Sequence, residues 1–304
     1  RAAFLDPDFW DNDLPPRLYG TDRYPDARLN VYSKFDFICL IKKHMEGTNE
    51  FKRILDSPFG PLFSFPVQRC SLSCKLIHAL VCRQLVTKKS MKCGQFLVVT
   101  HCVSLFEFAS SESGLPGDFS EDYDPDYEPK IPKEADDYWL QKIGKTRLSS
   151  LGDISFCLPK SSGDIQLRIA LLLIIDGVLI ASLQNARPTY KYVQMLEDVD
   201  SFLKFPWGRE SFNKTIKSLI PPRTVGSNLE TDLAAFRGHL QQRSFRLRGF
   251  PLALQLLAYR NIPALALALT DPLDDTVILD WDNAWIPRQS RLLADVHAVE
   301  QAPD

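Results

Sequence analysis

At 304 residues, with 45% hydrophobic and 24% charged residues, the chain holds enough apolar material for one large globular domain or two small ones. A formal net charge of −2 excludes a polypeptide that coats nucleic acid or anionic membrane through bulk charge, so any such binding must come from a local patch. Seven cysteines, with none after Cys157, make a poor disulfide framework and read as reduced thiols of an intracellular protein.

The chain opens RAAFLDPDFWDNDLPP, without an initiator Met or a basic-then-apolar leader, which predicts a fragment of a longer protein and no secretory signal here. Residues 1–30, rich in Asp, Pro and Arg, are expected to form an arm. A first helical part is placed at 31–117. There Phe35, Ile38 and Ile41, then Phe51, Ile54 and Leu55, recur at helical spacing, with Thr48 placed to cap the second run. Ser57-Pro58-Phe59-Gly60-Pro61 breaks the chain. The stripe Leu72, Leu76, Leu80 and Leu85 predicts a helix from Ser71, its cap, to about Val86. Phe96-Leu97-Val98-Val99 is the best strand candidate, and Ser104 with Glu107 fits a capping box.

Residues 118–137 hold nine acids against two lysines, with three prolines, and predict a mobile acidic insert. A second helical part follows at 138–263. Its run Ile169 to Ala181 is almost wholly apolar but shorter than the roughly 20 residues that cross a bilayer. With Asp176 and Gly177 in its middle, it predicts a central buried helix and no membrane partner. Further helices are expected through Val193, Leu196, Val199 and Leu203, through Phe212, Ile216 and Leu219 up to Pro221-Pro222, and through Leu229, Leu233, Phe236 and Leu240. Pro251 suits the first turn of another. Residues 264–304 read as a divergent tail. The expected fold is mainly α, an irregular multi-helix globular domain with at most a few short strands.

Three stretches, IALLLIIDGVLIAS at 169–182, FPWGRESF at 205–212 and LRGFPLALQLLAYRNIP at 247–263, resemble a plant family of unknown function, DUF1985. ILDSPFGPLFSFP at 54–66 and LIHALVCRQLVTKK at 76–89 resemble its N-terminal part. The family is found in Mutator-like transposable elements, in many members ahead of a SUMO-protease-like cysteine peptidase. The resemblance therefore implies an accessory domain with such a peptidase in cis or trans, and a nuclear setting. It implies no biochemical activity. HCVSLFEFASSESGLPGDF departs from the family pattern.

No catalytic, cofactor-binding or metal-binding residue is assigned. His44, His78 and His101 precede cysteines, but none sits in a motif that would activate a thiolate. Cys70, Cys74, His78 and Cys82 recur every four residues. A single helix would string them along about 18 Å, too far for one tetrahedral site, so they read as buried thiols. Two basic groups remain: Arg83, Lys88, Lys89 and Lys92, and then Arg237, Arg243, Arg246 and Arg248. The second is interleaved with His239 and Phe245, which suits gripping phosphates and stacking on bases. In FPWGRESF, Gly208 is expected to turn the chain and Trp207 to fill the core, with Arg209 and Glu210 as candidate partner contacts. Asp176 needs a cation from another helix or backbone amides from the next segment. The expected function is a non-catalytic protein-interaction module, with nucleic-acid binding through the Arg237 to Arg248 cluster as the alternative.

Overall fold

Helical periodicity accounts for most of the computed structural model across the residues it describes, namely 28–82, 150–219, 226, 228–269, 271–288 and 298–299. Outside them lie most of the expected arm, the Phe96 to Val99 strand, the Ser104 capping box, the acidic insert and the Pro221-Pro222 stop.

Chain entry is β1 (Arg28–Val31), followed by α1 (Asp36–Met45), which buries Phe37, Ile38, Ile41 and Met45. Asp36 lies in the first turn and Lys42 and Lys43 in the last, where the helix dipole favours each charge. Gly47, at φ 81°, reverses the chain into α2 (Asn49–Leu55). Thr48 caps α2 as expected: its hydroxyl accepts from the Phe51 amide at 3.1 Å and donates to the Met45 carbonyl at 2.6 Å. The Pro and Gly break becomes two 3-10 turns, Gly60–Ser64 and Val67–Cys70.

α3 (Cys74–Cys82) starts later than the leucine stripe suggests, and Ser71 is not its cap. Ser71 is extended, at ψ 107°, because the chain is still leaving the 3-10 turn. Ser73 caps instead, accepting from the Leu76 amide at 3.3 Å. A distant residue fixes this junction. Gln255 is fully buried; its carbonyl accepts from the Ser73 amide at 2.7 Å, and its amide donates to the Arg69 and Ser71 carbonyls at 2.9 and 2.8 Å.

The second half opens with α4 (Leu151–Ser155), whose Ser150 and Asp153 form a reciprocal capping box. After a 3-10 turn at Leu158–Lys160, α5 (Gly163–Leu172) continues into a π-helical segment, Leu173–Leu179. This is the expected central helix, and every residue from Ile169 to Leu179 is buried. Its α-helical part packs on α2, and its π segment meets α1 and α4. The Val193 to Leu203 run divides into α6 (Tyr190–Met195) and α7 (Val199–Lys204). Asp198 makes the division by accepting from the Asp200 and Ser201 amides at 3.0 and 3.1 Å. Next come α8 (Trp207–Lys217), which also packs on the π segment, and α9 (Leu229–Leu240), capped by Asn228.

β2 (Ser244–Leu247) then pairs with β1 in parallel, Leu29 opposite Phe245 and Val31 opposite Leu247. α10 (Leu252–Asn261) follows, with Pro251 at its cap, one residue before the expected first turn, and then α11 (Pro263–Leu267). Among the described residues the fold is thus mainly α with a two-stranded sheet. No described helix is long and apolar enough to cross a membrane.

Residues 274–286 are fastened to the N-terminal elements. The buried Lys42 ammonium meets the Trp281 carbonyl at 3.3 Å, with Glu46 and Asp282 as its ion pairs. Asp36 accepts from the Ile286 amide at 2.8 Å, and Gln68 donates to Asp274 at 3.1 Å.

Gln255→Leu removes the partners of one buried amide and two carbonyls, so we expect it to lower the unfolding free energy by about 3 kcal/mol. Equilibrium urea denaturation measures this; a loss below about 1 kcal/mol would show that the junction tolerates their absence.

Candidate functional site

Asp176 lies within the π segment and is 5% exposed. Backbone and side chain of the next segment satisfy it, the second of the two expected solutions: the Thr189 amide donates to Oδ2 at 2.8 Å and the Thr189 hydroxyl to Oδ1 at 2.7 Å. Burial pushes its carboxyl up from the usual 3.8 to about 7, outweighing the two Thr189 hydrogen bonds. Arg168, two turns away, pairs with Asp164 instead. The carboxylate borders a small cavity of about 40 Å3 that it shares with Lys34 and Tyr32.

The cysteine ladder does not lie on one helix: Cys70 closes a 3-10 turn, and only Cys74, His78 and Cys82 ride on α3. Cys82 Sγ lies 3.8 Å from both ring nitrogens of His78. Among the described residues no three His, Cys, Asp or Glu side chains converge as metal ligands. Burial raises the Cys39 thiol to about 12 and the Cys70 thiol well above its ordinary value, so both stay protonated at neutral pH.

In FPWGRESF, Trp207 fills the core as expected. Its indole donates to the Phe202 carbonyl at 2.7 Å, with Tyr192, Phe202 and Phe205 rings at 5.2, 4.6 and 4.5 Å. Gly208 does not turn the chain; it is helical within α8, and the turn is made by Phe205 and Pro206. Glu210 occupies the first helical turn but is buried, while Arg209 is exposed. Consecutive helical residues face about 100° apart, so only Arg209 of this pair faces solvent.

The second arginine group is where the structure gathers charge. Arg237 is exposed in the last turn of α9, and Arg243, Arg246 and Arg248 are exposed around β2. Strand alternation explains the pattern: Phe245 and Leu247 point into the core, so Arg246 and Arg248 share the outer face, about 7 Å apart. Arg243, Arg246 and Arg248 form no side-chain hydrogen bond or ion pair among the described residues. The expected stacking role of Phe245 does not hold. Its ring is 1% exposed, with His239 edge-on at 4.9 Å and Phe236 at 6.4 Å.

Sequence spacing missed one neighbour. The Arg248 amide donates to Ser218 at 3.4 Å and the Phe250 amide to Thr215 Oγ1 at 2.8 Å. These bonds bring the last turn of α8, with Lys214 and Lys217, to the end of the arginine strand. Arg83, Lys88, Lys89 and Lys92 lie outside the described residues.

A family model described as a domain of unknown function, DUF1985, matches residues 81–218. No curated protein and no solved structure matches the chain.

The Asp176 geometry carries a pH signature. Between pH 3.8 and about 7 the native state holds a proton that the unfolded state has lost, so this group makes stability fall as pH rises through that window. The full effect is on the order of 4 kcal/mol. Asp176→Asn keeps an acceptor for the Thr189 amide and a donor for its hydroxyl, so relative to wild type its stability should rise between pH 4 and pH 7.5. Thermal melts at both pH values test this; parallel pH dependences would show that the carboxyl stays ionised.

Proposed function

We propose that this chain, whose residues 81–218 match the model of DUF1985, a domain family of unknown function, is a non-catalytic binding module that grips a nucleic-acid backbone through its β2 arginines. The observation that carries this is the exposure of Arg243, Arg246 and Arg248 without an intramolecular counter-charge among the described residues. A guanidinium is weakly hydrated, always charged and shaped to take two phosphate oxygens at once.

Because Phe245 is buried under this face, the contacts are with phosphates rather than bases, and binding is independent of sequence. The plant, transposable-element and nuclear setting, and the adjoining SUMO-protease-like peptidase, belong to the same proposal. A module seated on nucleic acid would hold such a peptidase near substrates bound to the same strand.

Fluorescence anisotropy with short labelled duplexes tests it. Three phosphate contacts give a slope of log K against log salt of about −2.7, roughly a fortyfold weakening between 50 and 200 mM salt. Two unrelated sequences should bind equally. Arg246→Glu combined with Arg248→Glu should weaken binding more than tenfold, whereas Lys52→Glu on α2 should not. Absence of binding at low salt, or binding indifferent to the arginine changes, would refute the reading. Capture of an acidic protein through these arginines, without DNA binding, would replace the nucleic acid by a protein partner.

A further inference from the structure

Strand alternation puts a third polar residue in line with the two outward arginines. Ser244, the first residue of β2, is exposed like Arg246 and Arg248, while Phe245 and Leu247 turn inward. Residues two apart on one strand face lie about 7 Å from each other, so the Ser244 hydroxyl is within reach of the Arg246 guanidinium. That hydroxyl makes no hydrogen bond among the described residues. The hydroxyls that meet this strand from α8 are already committed. Thr215 donates to the Ser211 carbonyl at 2.8 Å and accepts from the Phe250 amide at 2.8 Å, and Ser218 accepts from the Arg248 amide at 3.4 Å.

Access and charge favour the same residue. Gln241, Gln242 and Arg243 are exposed and belong to no helix or strand, so the chain leading to Ser244 is open to another protein. No Asp or Glu occurs from Leu233 to Thr270, so no acid in this stretch of sequence repels a negative group there. Flanking arginines are also a charge pattern by which a kinase chooses its serine. A phosphoserine carries about −1.5 to −2 charges at neutral pH and three acceptor oxygens, and opposite arginines it forms charge-assisted hydrogen bonds.

We infer, building on the phosphate-gripping role of these arginines, that Ser244 is a phosphorylation site whose phosphate occupies Arg246 and Arg248 in place of a nucleic-acid phosphate. ATP supplies the phosphoryl group: the bond from Ser244 Oγ to the γ-phosphorus forms, the bond from that phosphorus to the ADP oxygen breaks, and the hydroxyl proton passes to the base of the kinase. The phosphate then provides the counter-charge that these arginines otherwise lack, and the nucleic acid is released.

The full chain is treated with ATP and a serine kinase selective for arginine two residues after the serine, and phosphoserine is separately installed at position 244 by genetic encoding. Peptide mapping of the treated chain should find phosphate on Ser244; Ser244→Ala should lose it while binding duplex as the unmodified chain does. The phosphorylated chain should bind labelled duplex at least tenfold more weakly, with a salt slope shallower by about 1.8 as two contacts are withdrawn. Phosphorus NMR gives a readout free of nucleic acid: pairing with arginine should pull the second ionisation of the phosphate below its usual value of about 6, and Arg246→Gln should raise it again. Modification that passes over Ser244, undiminished duplex binding by the phosphorylated chain, or a phosphate that titrates near its usual value whether or not Arg246 is present would each overturn the site. An unmodified chain that fails to bind duplex would instead sink the nucleic-acid role alone, since the peptide map and the NMR titration read the phosphate and its pairing directly.

Discussion

The carbonyls at the end of the central helix have no helical donors left, and they are buried. A buried carbonyl without a partner is costly, so the fold must bring donors to it. Four come from three remote segments. Gly177 O accepts from the Lys34 amide at 2.8 Å, and Val178 O accepts from the Ser33 hydroxyl at 2.8 Å. Leu179 O accepts from the Ser211 hydroxyl at 2.6 Å, and Ala181 O accepts from the Gly249 amide at 2.9 Å. The entry to α1, the inner face of α8 and the exit from β2 are therefore positioned by one helix end.

The π geometry is part of the same constraint. Its wider turn, closed by the Ile180 amide on the Ile175 carbonyl at 2.8 Å, leads into the carbonyls that the other segments reach. Gly177 meets the Phe37 ring so closely that a Cβ would lie 2.5 Å from it, so no larger residue fits without moving α1. Gly249 faces an equivalent limit: it adopts φ 78° with Thr215 directly against it, which lets β2 close onto α8. Asp176 and Thr189 then set where the chain re-enters helix as α6.

The proposed binding face and the exposed indole of Trp285 follow from how this framework disposes of its surface. Where Phe245 and Leu247 are drawn inward, strand alternation drives the intervening arginines outward. Where residues 281–286 are fastened to α1, the indole of Trp285 is left over, because the contacts that hold the segment use its backbone and its neighbours. In each case an interior requirement determines what solvent sees.

Local chemistry determined much of this protein from sequence. The mainly α class, the Thr48 cap, the burial of the Ile169 to Leu179 run and the role of Trp207 depend on periodicity, capping and size, which are written into neighbouring residues. So was the arginine group, because charge clusters are visible in a chain. Tertiary structure alone decided whether those arginines were paired, which of Arg209 and Glu210 was exposed, and that Phe245 was core rather than a stacking platform. It also set the start of α3 through Gln255, the partner of Asp176 and the parallel pairing of β1 with β2. Each of these joins residues far apart in sequence, and helical or strand periodicity reaches only a few residues along the chain.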